Sequence, residues 1–97
     1  MRERDVDELC ERVVKLSTHR RQLLKTIEEL SEMNRAISRY LEDDMSDANR
    51  DNMFEELAHA IVMIKQTEII LLDDLGDDEF YGRMEKWEEN TLDDLEN

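Results

Sequence analysis

Proline is absent from all 97 residues, and apolar side chains return at steps of three and four along most of the chain. That period belongs to helices and not to the two-residue alternation of strands. The expected fold is all-α: one small domain, too short for two independent cores, built as an antiparallel four-helix bundle. Val6, Leu9, Cys10, Val13 and Val14 predict the first helix. In "LSTH", 16–19, the hydroxyls suit the end of that helix and the cap of the next. Leu23, Leu24, Ile27, Leu30, Ile37 and Leu41 form the apolar stripe of the second helix, which fades into a polar loop at 42–51. The third segment is apolar on nearly every side between Leu57 and Ile64. It predicts a central helix, either surrounded by the others or shared across an interface between copies. Gly76 is placed to end it and Asp77 or Asp78 to cap a fourth helix, one face of which carries Phe80, Tyr81, Met84, Trp87, Thr91 and Leu95.

A net charge of -14 argues against nucleic acid as a partner, because phosphate backbones are bound by an excess of Lys and Arg. It suits metal ions or a basic protein instead. No apolar run approaches the ~20 residues of a membrane span, and "MRERDVDELC" lacks the apolar segment of a signal peptide, so no membrane association and a cytoplasmic location are expected. Cys10 is the single cysteine, and beside Leu9 and Val13 it reads as a buried thiol.

Glu28, Glu29 and Glu32 lie three and four residues apart, so a helix brings their carboxylates to one surface, where like charges repel unless a cation or Lys25 neutralises them. Projection at about 100° per residue puts Glu29 with Met33, Ala36 and Tyr40, away from the aliphatic stripe. On the third helix Glu56 and His59 share a side with Met63 and Ile70, while Leu57, Ile61, Ile64 and Leu71 line another. Antiparallel packing would turn the two polar patches toward each other as an oxygen cradle for a hard cation such as Mg²⁺. The bland alternative is a solvated acidic helix face.

"LLKTIEELSEMNRAI" followed by "MFEELAHAIVMIKQTEII" resembles the MazG-like branch of the all-α nucleoside triphosphate pyrophosphohydrolases, especially its short, often phage-encoded members. The resemblance covers residues 19–75. The family pattern is EExxE, then ExxD; Glu28, Glu29 and Glu32 match the first part and Glu56 the start of the second. It implies a homodimer or homotetramer that binds Mg²⁺ and cleaves a nucleotide substrate between the α and β phosphates. Under that reading Glu29, Glu32 and Glu56 hold the metal, and Glu28 orients or deprotonates the attacking water. Arg21 and Lys25, with His19 and Arg20, are candidates for holding phosphate, as are Arg83 and Lys86. Asn34, within the apolar stripe, is either a buried polar residue or a ligand contact.

His59 stands where the family has Asp. An imidazole removes one negative charge and suits Mn²⁺, Co²⁺ or Zn²⁺ better than Mg²⁺. Three consequences are open: a weakened or lost activity, a different divalent ion, or a substitute acid. Glu55 is turned about 100° away, and Asp73 and Asp74 lie roughly 21 Å further along the helix, so no substitute is well placed. Phe80, Tyr81 and Trp87 could stack on a base, but their helical spacing with Met84 favours packing. Two functional classes compete: a metal-dependent nucleotide pyrophosphohydrolase, and an inactive scaffold of the same kind whose acidic surface blocks a basic protein. A coiled-coil-like scaffold is the third and plainest reading.

Overall fold

The computed structural model describes residues 2–97, apart from the side chains of Asp73 and Asp74. Four helices account for almost all of it: α1 (Glu3–Leu16), α2 (His19–Glu42), α3 (Asp47–Leu75) and α4 (Asp77–Glu96). The expected break falls at Ser17 and Thr18, where the Thr18 hydroxyl accepts the Arg21 backbone N–H at 3.1 Å. The α2–α3 connection is shorter than the expected loop at 42–51. Ser46 caps α3 by accepting from the Asn49 backbone N–H, so Asp47 to Asp51 form a first helical turn; Asp47 and Asp51 face solvent, while the half-buried Asn49 side chain donates back to the Arg39 carbonyl and the Asp43 carboxylate. Asp44 and Met45 turn the chain with positive φ, and the Met45 N–H closes the end of α2 on the Tyr40 carbonyl at 2.9 Å. Gly76, at φ +88° and ψ 150°, both ends α3 and precedes α4, the cap role expected of Asp77 or Asp78.

α3 lies at the centre, with α2 packed antiparallel along it, α1 across another side and α4 touching only lightly. Register between α2 and α3 comes from a buried polar ladder. The Gln22 side-chain N–H donates to Gln66 at 2.6 Å, and one turn on the Thr26 and Thr67 hydroxyls meet at 2.9 Å. Ala36, Ala60, Met63 and Ile70 are buried, the small residues allowing close approach of the helices. α1 is fastened by Cys10, whose buried thiol donates to the Val62 carbonyl, and by Lys65, which bridges Glu3 and Asp7 at 3.2 and 2.8 Å. Burial holds the Cys10 thiol above its ordinary pKa, which keeps it neutral.

The aliphatic stripes of α2 and α3 point outward, away from the seam between the two helices. Leu23, Leu24, Ile27, Leu30, Ile37 and Leu41 of α2 are exposed, as are Leu57, Ile61, Ile64 and Leu71 of α3. α4 has no buried residue, and Trp87 is 69% exposed. The chain therefore presents 7895 Å² of surface, against about 5,800 Å² for a compact monomer of its mass. Its radius of gyration is 16.1 Å, where about 12.5 Å is typical. No helix among the described residues is long and apolar enough to cross a membrane.

Candidate metal centre

Antiparallel pairing continues from Gln22·Gln66 and Thr26·Thr67 to the next level, where Glu29 of α2 meets Glu56 and His59 of α3. Glu29 is 8% exposed, an unusual position for a carboxylate, and its two oxygens face different neighbours. Oε1 lies 3.2 Å from the Lys25 ammonium, which also reaches Glu28 at 3.6 Å. Oε2 lies 3.6 Å from His59 Nδ1, and Glu56 Oε2 is 3.7 Å from the same nitrogen. Both Oε2 atoms are buried without a hydrogen-bond partner. Such atoms are costly to leave unpaired, so the residues present fit a cation between them.

Two sets of donors can each converge on one ion: Glu29, Glu56 and His59 across the helix pair, and Glu28, Glu29 and Glu32 along α2. Glu29 belongs to both. Glu32 is held above its ordinary pKa, first by the charge of Glu29, then by partial burial, Glu56 and Glu28. Lys25 is held above its ordinary value mainly by its hydrogen bond to Glu29, as expected for a partial neutraliser.

A concavity of about 270 Å³ opens over Glu29, His59, Val62 and Met63. Met63 also borders a larger hollow of about 680 Å³, lined by Arg20, Arg21, Lys25 and Glu28. Of the sequence-derived candidates, Glu29, Glu56 and His59 converge across the α2–α3 seam, Glu28 and Glu32 join Glu29 along α2, and Lys25 pairs with Glu28 and Glu29. Arg21 lines the larger hollow about two turns before Glu29. Asn34 stands apart: it is exposed with the outward-facing stripe, which corrects its reading as a buried polar residue. Lys86 is exposed on α4, which meets α3 nearer its C-terminal end through Tyr81 and Glu68, and no contact ties it to the carboxylates. Glu55 is exposed, as its rotation on the helix requires, while the side chains of Asp73 and Asp74 lie outside the described residues. Sequence reasoning missed Gln22 and Gln66; their signal was a pair of amides each about two turns from the site residues, Gln22 before Glu29 and Gln66 after His59.

Fold and site together define an all-helical protein carrying a carboxylate and imidazole cluster that could hold a metal ion. Comparison with protein-family models, with curated proteins and with solved structures returned no match.

Proposed function

We propose that this protein is a divalent-cation-dependent nucleoside triphosphate pyrophosphohydrolase of the MazG-like all-α kind, releasing nucleoside monophosphate and pyrophosphate. The observation that carries this reading is the pair of buried, unpartnered oxygens of Glu29 and Glu56 beside a hollow lined by Arg20, Arg21 and Lys25. Glu29, Glu32, Glu56 and His59 would hold the ion, Mg²⁺ in the resemblance and Mn²⁺ as an alternative. When bound, such an ion offsets phosphate charge and acidifies water for attack on phosphorus. Arg20 and Arg21 can hold phosphate oxygens through charge-assisted hydrogen bonds. Glu28, exposed beside them and paired with Lys25 at 3.6 Å, would accept the proton of the attacking water. Lys25, engaged by Glu29, keeps that carboxylate oriented and partly neutralised.

The outward aliphatic faces of α2 and α3 support a homodimer or homotetramer, with like faces meeting between copies. The roughly 2,000 Å² by which the chain exceeds a compact monomer is on the scale of one partner's share in an obligate interface.

A second reading rests on charge distribution. Residues 1–42 carry nine Lys and Arg and nine Asp and Glu, whereas residues 43–97 carry four and eighteen, so the whole excess lies in the second half. An exposed, strongly acidic α4 suits a scaffold that binds a basic protein surface, with the chemistry weakened by His59.

The test is release of pyrophosphate and monophosphate from a panel of NTPs and dNTPs, in Mg²⁺ and in Mn²⁺, by wild type, Glu32→Gln and His59→Asp. Turnover lost in Glu32→Gln supports the enzyme. Silence of wild type with turnover by His59→Asp supports a disarmed scaffold, and silence of all three sinks the hydrolase reading.

A further inference from the structure

We infer, resting on the divalent-cation reading above, that Glu29, Glu56 and His59 form a three-donor site selective for zinc-like late first-row ions over Mg²⁺. A cluster of acids alone would not support this. The added observations are the buried, unpartnered Oε2 atoms of Glu29 and Glu56, both turned toward His59 Nδ1. The separations of 3.6 and 3.7 Å exceed hydrogen-bond length, and one Nδ1–H could serve only one of the two oxygens. A cation between them satisfies both.

Three donor atoms, one each from Glu29, Glu56 and His59, lie within 4.8 Å of one another, close enough to converge on one ion. Donor chemistry selects among cations, because an imidazole nitrogen favours Zn²⁺, Co²⁺ or Ni²⁺, whereas Mg²⁺ is taken by oxygen and retains several waters. His59 is half exposed beneath the 270 Å³ concavity, so a fourth position remains accessible from solvent, as in zinc sites that admit an exchangeable ligand. The two carboxylates also match the charge of a divalent ion.

The experiment measures Zn²⁺ and Mg²⁺ affinity by calorimetry and reads the visible absorption of bound Co²⁺, whose bands are intense when four-coordinate and weak when six-coordinate. It uses wild type, Glu29→Gln, His59→Asp and His59→Ala, all carrying Cys10→Ser so that no thiolate contributes. Far-UV circular dichroism checks helicity, and His59→Ala carries the test should the extra carboxylate of His59→Asp impair folding. The expected result is one tight Zn²⁺ site, at least ~100-fold stronger than Mg²⁺, lost in Glu29→Gln. Replacing His59 should narrow the Zn²⁺ to Mg²⁺ ratio by about tenfold or more and remove the intense Co²⁺ bands. A ratio unchanged by His59 replacement, or weak Co²⁺ bands in wild type, overturns the selectivity while leaving the cation site standing. Absence of any site sensitive to Glu29→Gln overturns both.

Discussion

Ile61→Glu is the sharpest test of the outward aliphatic faces. Ile61 sits on α3 among Leu57 and Ile64 and is 43% exposed, so in an isolated chain the substitution changes a residue that already meets water. In that case its effect on stability stays within about 0.5 kcal/mol. If a second copy covers this face, the outcome is different. Burying the remaining surface of each Ile is worth roughly 0.6–1.3 kcal/mol, taking the same fraction of the 1.5–3 kcal/mol for a full side chain. Symmetry doubles that loss, and each introduced carboxylate adds a desolvation cost of several kcal/mol. The dissociation constant should rise by at least two orders of magnitude. Sedimentation equilibrium from 1 to 100 μM reads the mass directly against the 11.6 kDa chain. Wild type should have at least twice that mass and a melting temperature that rises with concentration, while Ile61→Glu should be monomeric and melt lower. A wild type that is monomeric at 100 μM, with a concentration-independent melt, refutes the reasoning.

Glu32→Gln should raise the melting temperature of the metal-free protein. Because the folded carboxyl is held above its ordinary value of 4.5, metal-free wild type should lose stability as pH rises from there through the raised value, and the variant should lack that decline; a steeper decline in the variant refutes it. Gln66→Leu leaves the buried Gln22 amide unpaired and should cost about 1–3 kcal/mol in urea unfolding, most of it recovered in Gln22→Leu/Gln66→Leu; no recovery argues against the ladder. Gly76→Ala meets open space but an unfavourable backbone, a strain of about 1–3 kcal/mol at the α3–α4 junction. Limited proteolysis near residue 76 should accelerate while helicity persists, and unchanged cleavage rules the strain out.

Helix identity was legible because period, caps and breakers agreed: Thr18 caps α2, and Gly76 sits where only a glycine is comfortable. The convergence of Glu29 with Glu56 and His59 was legible too, since spacing assigns each to one face and short connections make consecutive helices antiparallel. Inside and outside were not. Hydropathy ranks the Leu and Ile stripe of α2 above the face bearing Thr26, Glu29 and Ala36, yet the latter packs on α3 because small residues and matched polar pairs permit close approach. A helical projection identifies faces but does not say whether their neighbour belongs to the same chain. The same gap misplaced Asn34, and the polar first turn of α3 resembled a loop because capping residues and turn residues are the same types.

The hydrogen bonds between Gln22 and Gln66 and between Thr26 and Thr67 have an evolutionary corollary. Alignment of the two helices is secured by uncharged groups one and two turns away from the ionisable ones, so the task of lining up the chain does not fall to the candidate metal-holding residues. Glu29, Glu56 and His59 can then be exchanged for other donors with little risk of a slipped pairing. A lineage with that separation can sample new reactivity, or abandon it, while inheriting the same scaffold.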